Sequence, residues 1–435
     1  MRSDWIDTTL GDFAPFNYGK ALPERDRVPG DVPVISSAGV TGVHAEAFVQ
    51  SAGIVIGRKG TVGRITLCMT PFWPIDTAFY IHDEPQKRDI RFTYYLLQTL
   101  GLDQMNSDSA VPGLNRDNAH ALPISIPATV KEQSQISNIL STLDEKIDLN
   151  RRINQTLEAM AQAIFKSWFV DFDPVKAKIA AIEQGQDPLR AAMRAISGKT
   201  DAELDQMPRE HHDQLAATAA LFPDAMQDSE LGEIPKGWAV GTLADLCHLN
   251  PESWSARTLP DIVRYVDLAN AKGGEISEVK SIGGKDIPSR ARRILRYGDT
   301  IVGTVRPGNR SFALIGEDGL TGSTGFAVLR PKSAHWLEFV HLVATSEANI
   351  ERLAHLADGG AYPAVRPEIV IQEDVVIPAE SIVQAFSQNV KPLFAKIQKN
   401  RKSAISLAEL RDTLLPKLLS GELLVADLDK GALVP

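Results

Sequence analysis

The 435-residue chain has only two cysteines, Cys68 and Cys247, which cannot build a disulfide framework. Nowhere do 18 consecutive apolar residues occur, so no membrane span is expected. The opening segment, MRSDWIDTTLGDF, lacks the apolar run of a signal peptide. Basic charge is not in excess either, because 46 Lys and Arg stand against 55 Asp and Glu, a net charge of −9. These absences predict a cytoplasmic protein and argue against a surface coated in basic charge.

Recognisable catalytic motifs are also missing. Residues 197–200 end like a phosphate-binding loop, but Met193 stands where the leading glycine is required. Gly57-x-x-Gly60-x-x-Gly63 lacks dinucleotide-loop spacing, and the Asn/Asp-Pro-Pro-Tyr/Phe segment of amino-methyltransferases is absent. His211-His212 has no cysteine or carboxylate at metal-ligand spacing. We therefore predict no catalytic residue, no metal and no cofactor on this chain.

What the chain does contain is an internal repeat. The order of the matching segments is preserved, so a duplicated unit is a better interpretation than chance. The matches are Trp5-x-x-x-Thr9-Leu10 with Trp238-x-x-x-Thr242-Leu243, Asp76-Thr77-Ala78-Phe79 with Ser323-Thr324-Gly325-Phe326, Ile126-Pro127-Ala128 with Ile377-Pro378-Ala379, and Asn150-Arg151-Arg152 with Asn400-Arg401-Lys402.

Each copy begins with short β-rich runs, such as Gly53–Gly57 and Thr300–Gly303, and ends in a long helical segment. The fold class expected is α+β, with two pseudo-symmetric mixed α/β domains joined by two long antiparallel coiled-coil helices. The predicted segments are a first mixed domain (1–128), a long helix (129–172), a partly helical acidic connector without a clear strand (173–235), a second mixed domain (236–379), a second long helix (380–425) and a tail (426–435). A small helical domain is the alternative for the connector.

The long helices carry the clearest periodicity. From Glu132 to about Phe169, residues of one seam recur at alternating steps of four and three, as in a coiled coil. Pro392 predicts a kink or a helix start near Lys391, and Pro416 predicts a late kink or a frayed end. The predicted seam is Ile136, Leu140, Leu143, Ile147, Asn150, Leu157 and Ile164 in the first helix, and Val390, Leu393, Ile397, Asn400, Leu407 and Leu414 in the second.

Pseudo-two-fold symmetry predicts that the two helices pair antiparallel, with Asn150 opposite or near Asn400. A buried asparagine in such a seam costs stability but fixes the register. About 38 residues at 1.5 Å per residue would span roughly 57 Å. The alternative is two unrelated amphipathic helices, each packed on its own domain.

Cations gather on matching turns of the two copies. Glycine allows close backbone approach, and Arg and Lys reach phosphates and guanine edges, so we predict that these turns contact DNA. The alternative for any single arginine is an ordinary solvated residue. The candidates are Arg58, Lys59, Gly60 and Arg64 on the first turn, Arg306 and Arg310 on the second, Arg290, Arg292 and Arg293 in the densest basic stretch, and Arg116 and Arg366 after the matched prolines Pro112 and Pro363. Tyr18, Tyr265, Gly39 and Gly42 are expected to shape or line the same surfaces.

The acidic net charge does not oppose this interpretation once it is divided by region. Residues 1–128 carry −3, residues 129–235 carry −7, residues 236–379 carry −1 and residues 380–435 carry +2. Most of the negative charge therefore lies in the middle of the chain, and the two mixed domains are close to neutral.

Taken in order, the following motifs resemble the specificity subunit of type I restriction-modification systems. They are Gly57-Arg-Lys-Gly-Thr-Val-Gly-Arg64 with Pro71-Phe72-Trp73 and Asp76-Thr77-Ala78-Phe79, Leu122-Pro123-Ile124-x-Ile126-Pro127, Glu132-Gln133-x-x-Ile136, Lys166-Ser-Trp-Phe-Val-Asp-Phe172, Ser229-Glu-Leu-Gly-Glu-Ile-Pro-Lys-Gly-Trp238 and Leu414-Leu-Pro-Lys-Leu-Leu-Ser-Gly-Glu-Leu423. Each motif is moderately specific, whereas their order across nearly the whole chain is highly specific.

The resemblance implies two target-recognition domains, each reading half of a bipartite DNA site, with the helices setting the spacer. It also implies docking of two methyltransferase subunits that bind S-adenosylmethionine, and of motor-nuclease restriction subunits that use ATP and Mg²⁺. The subunit itself would perform no bond chemistry within the endonuclease and adenine methyltransferase complex. Three alternatives stay open, namely a differently organised DNA-modification system, a coiled-coil scaffold that does not read DNA, and an independent enzyme with an unrecognised site.

Overall fold

The computed structural model describes residues 5–105, 113–358, 360 and 363–425. Pro112 and the predicted tail over 426–435 lie outside the described residues. The chain forms two compact units, which we call unit 1 (Met1–Arg151 with Arg401–Pro435) and unit 2 (Arg152–Asn400).

Unit 1 is built on a four-stranded sheet, a three-stranded sheet and a two-stranded pair. Its strands are β1 (Trp5–Thr9), β2 (Asn17–Tyr18), β3 (Val32–Ser36), β4 (Gly39–His44), β5 (Gly53–Gly57), β6 (Ile65–Cys68), β7 (Trp73–Pro74), β8 (Ala78–His82) and β9 (Pro123–Pro127). Its helices are α1 (Leu10–Phe13), α2 (Ile90–Thr99), α3 (Arg116–His120) and the first part of α4 (Val130–Phe169). The strand orders are β2-β8-β5-β6, β4-β3-β7 and β1-β9.

Unit 2 contains the end of α4 and more strands than unit 1. Its further helices are α5 (Asp173–Glu183), α6 (Pro188–Ser197), α7 (Asp201–Asp205), α8 (Arg209–Leu221), α9 (Leu243–Leu246), α10 (Leu337–Ala344), α11 (Glu347–Leu356), α12 (Pro367–Ile371) and the first part of α13 (Glu380–Leu419). Its strands are β10 (Met226–Ser229), β11 (Gly232–Pro235), β12 (Ala239–Thr242), β13 (Cys247–Leu249), β14 (Ile262–Val266), β15 (Ala271–Lys272), β16 (Glu275–Ile276), β17 (Lys280–Gly283), β18 (Ala291–Leu295), β19 (Thr300–Gly303), β20 (Phe312–Leu314), β21 (Leu320–Ser323), β22 (Phe326–Pro331) and β23 (Asp374–Ile377).

The two units share one topology, which confirms the predicted pseudo-symmetric α+β duplication. The order β13-β22-β19-β20 repeats β2-β8-β5-β6, and the pair β12-β23 repeats β1-β9. In each unit a central strand, β3 or β14, lies between an antiparallel and a parallel neighbour. The repeated Thr-Leu motif has a structural cause, because Thr9 and Thr242 each cap a short helix.

Helices α4 and α13 pack against each other within each unit. In unit 1, the Arg411 guanidinium Nη1 lies 2.7 Å from Asp144 Oδ1. In unit 2, the ring centroids of Trp168 and Phe386 lie 5.8 Å apart. The start of α4 therefore meets the end of α13 in one unit, and the reverse holds in the other, so the pairing is antiparallel as predicted. Buried seam residues on the two sides include Ile136, Leu140, Leu143 and Leu414 in unit 1 and Val390 and Ile397 in unit 2.

The predicted register of the helix pair needs a correction of one turn. Asn400 is buried, and its Nδ2 donates to Asn154 Oδ1 at 2.9 Å, so its partner is Asn154 and not Asn150. Asn150 and Asn400 are equivalent in the repeat, but the packing of the two helices places Asn400 against a different residue.

The two prolines do not interrupt α13. The helix runs from Glu380 to Leu419, so the predicted start near Lys391 is wrong. An interior proline costs about 3 kcal/mol because it removes a hydrogen bond and crowds the preceding turn. Burial on both sides of Pro392, at Phe386 and Val390 before it and at Phe394 and Ile397 after it, outweighs that cost.

The connector is more structured than the sequence predicts. Helices α5 to α8 include a small core of their own at Ala192, Met193, Leu204 and Ala219. The expected absence of a strand is wrong, because β10 and β11 form a hairpin before Trp238. Its two-residue turn, Glu230-Leu231, lacks the Asn-Gly or Asp-Gly pair that marks such hairpins in a sequence.

The asparagine pair offers a direct test of the corrected register. Asn400→Leu leaves the half-buried Asn154 amide without its partner, so we expect a loss of about 1 kcal/mol of stability. The double variant N154L/N400L should recover most of it, because both polar groups are then gone. Calorimetric unfolding of the full chain measures the coupling free energy between Asn154 and Asn400. Asn150→Leu is the matched control. Coupling of Asn400 to Asn150 instead of Asn154 would contradict the register.

Candidate nucleic-acid interface

The predicted basic turn of unit 1 connects β5 to β6, and two of its glycines serve its own folding. A Cβ at Gly57 would lie 2.0 Å from the Thr61 carbonyl oxygen. Gly63 has a φ of +72°, and its Cβ would lie 2.2 Å from the Asp103 nitrogen. Only Gly60 is exposed, with a φ of +83°, and a Cβ there would come no nearer than 3.6 Å to another residue, at Ser37 Oγ. Of these three glycines, only Gly60 therefore leaves its backbone open to a ligand, whereas Gly57 and Gly63 are needed for the folding of the turn.

Hydrogen bonds bring two distant segments to this turn. The amides of Arg58 and Lys59 both donate to the Thr77 carbonyl at 3.0 Å. The Leu114 amide donates to the Arg58 carbonyl at 2.9 Å. Because α3 begins at Arg116, this second bond places Arg116 beside the turn, as the sequence predicts for a shared surface.

Three side chains of unit 1 form a cluster that we call the Tyr18 cluster, consisting of Tyr18, Arg58 and Arg116. The Arg58 guanidinium carbon lies 5.0 Å from the Tyr18 ring centroid, and that of Arg116 lies 5.1 Å from it. These are cation–π distances. The Tyr18 ring also meets the buried Phe79 edge-on at 5.1 Å. Half of Tyr18 is exposed, so the cluster lies at the surface.

A hairpin made of β3 and β4 lies next to the same turn. The Ser37 amide donates to Thr77 Oγ1 at 3.4 Å. The exposed Arg64 guanidinium lies beside Gly39, where a Cβ would be 3.1 Å from its Nη2. Val40 at the hairpin tip is 65% exposed. An exposed valine beside cations suits contact with a thymine methyl group in the major groove.

The basic turn of unit 2 follows β19 and has the corresponding neighbour. The Arg306 amide donates to the Pro363 carbonyl at 2.7 Å, and the Val365 amide donates to the Thr304 carbonyl at 2.9 Å. Arg366 is exposed and precedes α12. Arg306 and Arg310 both adopt left-handed φ values, of 47° and 58°. Arg310 forms an ion pair with Glu347, so part of the charge on this turn is balanced.

Arg290 lies near this second turn and is also paired. Its carbonyl accepts from the Thr324 amide, and its Nη2 lies 2.5 Å from Asp267 Oδ2. Its Nε donates to the Tyr265 hydroxyl at 3.1 Å, and this hydrogen bond raises the pKa of Arg290. Tyr265 itself is buried on β14, the counterpart of β3, and so does not occupy the place that Tyr18 has in unit 1.

The densest basic stretch is more structural than its sequence predicts. Arg293 on β18 is half-buried, its Nη1 donates to Ser253 Oγ at 3.3 Å, and burial lowers its pKa. Arg292 Nη1 donates to the adjacent Ala291 carbonyl. That Arg292 and Arg293 contact DNA stays a prediction. The positions of their side chains in the structure add no support to it. Tyr18 is the residue that sequence reasoning undervalued, because nothing in its local sequence connects it to Arg58 or Arg116.

The described residues contain neither a metal cluster nor a membrane span. No group of three or more His, Cys, Asp or Glu side chains among them is placed to hold a metal ion. None of the helices in these parts of the chain is long and apolar enough to cross a membrane. Cys68 and Cys247 are both free and buried, and burial raises the pKa of each thiol to about 12.

The fold and the site together define a duplicated protein in which each unit presents a basic turn at the same topological position. Residues 2–159 match the family described as the type I restriction modification DNA specificity domain. The chain is similar to the specificity subunit of the type I restriction enzyme HindI of Haemophilus influenzae. The two are 31% identical over 336 residues, which cover 72% of this chain and 71% of that one. The chain belongs to the family of type I restriction enzyme specificity subunits, and the resemblance seen in its motifs is confirmed.

Two further comparisons agree with this assignment. The MjaIX specificity subunit of Methanocaldococcus jannaschii is 25% identical over 352 residues, covering 78% of this chain and 70% of that one. The crystal structure of the S subunit of a type I system from M. genitalium matches with a TM-score of 0.54. It covers 96% of this chain and 97% of that one at 14% identity, which establishes a shared fold.

Proposed function

We propose that each unit of this chain reads one half of a bipartite DNA site. The observation that carries the proposal is the basic turn that follows β5 in unit 1 and β19 in unit 2. In both units the turn is hydrogen-bonded to the segment leading into a short helix with an arginine, Arg116 or Arg366, at its start. Arginine and lysine on exposed turns can contact both phosphates and guanine edges.

The remaining parts of the proposal come from family membership. The paired helices α4 and α13 would dock two methyltransferase subunits, which bind S-adenosylmethionine and methylate adenine. Motor-nuclease restriction subunits, which use ATP and Mg²⁺, would complete a cytoplasmic endonuclease. This chain would supply sequence recognition and no bond-making chemistry to that complex.

Mapping of methylated adenines across the host genome, with and without this gene, tests the proposed function. We expect one bipartite motif with a fixed spacer to lose methylation when the gene is removed and to regain it on complementation. Unchanged methylation would contradict the proposal. Separate genes for a methyltransferase and a helicase-type nuclease beside this one would favour the type I organisation.

A paired deletion tests whether the helices set the spacer. Removing residues 147–153 from α4 and 401–407 from α13 takes one heptad from each helix. The contacts Asp144–Arg411 and Asn154–Asn400 should both be kept, because the antiparallel register is preserved. Each helix becomes roughly 10 Å shorter. We expect the spacer of the methylated site to shorten by about one to three base pairs, at 3.4 Å each.

The matched control removes residues 147–153 alone, which shifts the two seams out of register and should abolish methylation. An unchanged spacer in the paired deletion, with methylation retained, would show that the helices do not determine spacing.

A further inference from the structure

The Tyr18 ring is placed to organise two arginines that are far apart in the sequence. Tyr18 lies on β2, an edge strand, and its ring rests on the buried Phe79. Arg58 comes from the turn after β5, and Arg116 comes from the first residue of α3. Their guanidinium groups lie 5.0 and 5.1 Å from the same ring. One aromatic side chain therefore links all three segments at the surface.

Such a ring reduces the freedom of long side chains. An arginine held over an aromatic face is attracted to the ring and keeps its N–H donors available. Arg58 Nη1 also donates to the Asp76 carbonyl at 3.2 Å, and this hydrogen bond fixes one of the two terminal nitrogens of the guanidinium group. Within the described parts of the chain, the Arg58 guanidinium makes no ion pair with a carboxylate. Arg116 does make one, because its Nε lies 3.5 Å from Oδ1 of the exposed Asp117.

The corresponding surface of unit 2 is held in a different way. Arg290 is paired with Asp267, and Arg310 is paired with Glu347. A carboxylate that holds an arginine also competes with DNA for its donors and cancels its charge. The Tyr18 ring holds Arg58 with its charge intact and holds Arg116 in addition to its pair with Asp117, so the two units differ in how they hold cations for a ligand.

We propose that Tyr18 is a specificity-determining positioning residue of unit 1. Its ring sets the guanidinium groups of Arg58 and Arg116 at the orientation and separation needed to meet DNA, so that the two arginines read one half-site as a unit. This inference rests on the proposed DNA-reading function of the chain, and it adds a residue and a physical mechanism to that function.

The test compares aromatic and non-aromatic variants in the full chain, assembled with its methyltransferase subunits. Tyr18→Phe keeps the ring and removes only the hydroxyl. Tyr18→Leu and Tyr18→Val remove the ring, and valine is suited to a strand, so a folding defect in one variant does not decide the result. Tyr297→Leu is the matched control, because Tyr297 is 63% exposed in unit 2 and no cation lies over its ring among the residues that the structure describes.

For both non-aromatic variants we expect DNA affinity to fall by roughly five- to thirtyfold, because two exposed cation–π interactions are removed. Methylation mapping should show relaxed base preference in one half of the motif and an unchanged second half. Tyr18→Phe and Tyr297→Leu should retain the parental motif. Thermal melting of each variant checks that the chain stays folded.

The inference would be overturned if folded Tyr18→Leu or Tyr18→Val kept the parental base preference in both halves of the methylated motif. It would also be overturned if the base preference changed in only one half and that half were the one read by unit 2. A loss in Tyr18→Phe equal to that in Tyr18→Leu would also overturn it, because the hydroxyl and not the ring would then matter. Failure of the proposed function has a distinct signature, since the unmodified chain would then direct no bipartite methylation at all.

Discussion

Reversing the charge of Arg58, Lys59 and Arg116 together is expected to weaken DNA binding by the assembled methyltransferase roughly a thousandfold or more. Each is a surface cation of unit 1, and all three lie on or beside the turn after β5. A hydrogen bond from a charged donor contributes about 1.5–3 kcal/mol, so removing three such bonds accounts for the effect before repulsion is added. Titration of labelled DNA at several salt concentrations measures it.

The salt dependence separates local binding from a general effect of charge. If each residue neutralises one phosphate, the slope of log K against log salt should fall by about 0.9 for each phosphate that is no longer neutralised. The matched control reverses Arg25, Lys87 and Lys131, which are exposed cations of the same unit that lie outside the turn. The control changes net charge equally but should keep most of the affinity and slope. Equal reductions in both triple variants would contradict a specific interface.

A scaffold that joins proteins without reading DNA gives a different result in the same experiment. Its assembly with methyltransferase subunits and its methylation pattern would survive both triple variants. Co-purification of the subunits shows whether assembly is intact, so loss of DNA binding with retained assembly assigns the defect to the DNA surface.

The features that the sequence predicts well depend on patterns local to one segment. The runs Gly53–Gly57 and Thr300–Gly303 are strands because short apolar runs between turns bury both faces, and both are buried throughout. The helix seam is predictable because its period of three and four residues has one structural meaning. The repeat is visible because capping threonines and buried aromatics are needed at the same places in both copies.

The features that the sequence did not predict depend on contacts between distant segments. The one-turn shift to Asn154 depends on how the two helices slide along each other, which the period of the seam does not specify. The continuity of α13 through Pro392 depends on burial along both sides of the proline. The Tyr18 cluster unites three segments through side-chain packing that no spacing rule encodes.

The arginines of unit 2 show most clearly that contacts between distant segments cannot be predicted from the local sequence. Residues 289–296 are the densest basic stretch in the sequence, but each of the four arginines in it bonds to a group of the protein itself. Arg296 shows this best, because its guanidinium bonds to Glu252 through Nε at 3.1 Å and Nη2 at 3.2 Å. Hydrogen bonds from Arg296 and Arg330 lower the pKa of Glu252 to about 2. A basic run in the sequence is therefore evidence for DNA contact only after its acidic partners are known.

Removing Arg330 from this network should destabilise unit 2 by about 3–5 kcal/mol, the cost of leaving a buried charge without its partner. The Asp299 side chain is fully buried and accepts from Arg330 Nε and Nη2, each at 2.8 Å. Its Oδ2 also accepts from the Arg296 amide at the corner between β18 and β19. Arg330→Met keeps much of the side-chain volume but leaves the Asp299 carboxylate unpaired, so denaturant unfolding of the full chain should show a large loss.

The double variant R330M/D299N separates the effect of charge pairing from the effect of packing. Asparagine is neutral and retains an oxygen for the Arg296 amide, so we expect the double variant to be more stable than Arg330→Met alone. Recovery of more than half of the loss would identify an uncompensated charge as the main cost. A single variant that loses less than about 1 kcal/mol, the range of an exposed ion pair, would contradict burial of the pair. Asp299 directly precedes β19, the strand that leads to the second basic turn. The same unfolding data therefore measure how much the Arg330–Asp299 pair contributes to holding that turn in position.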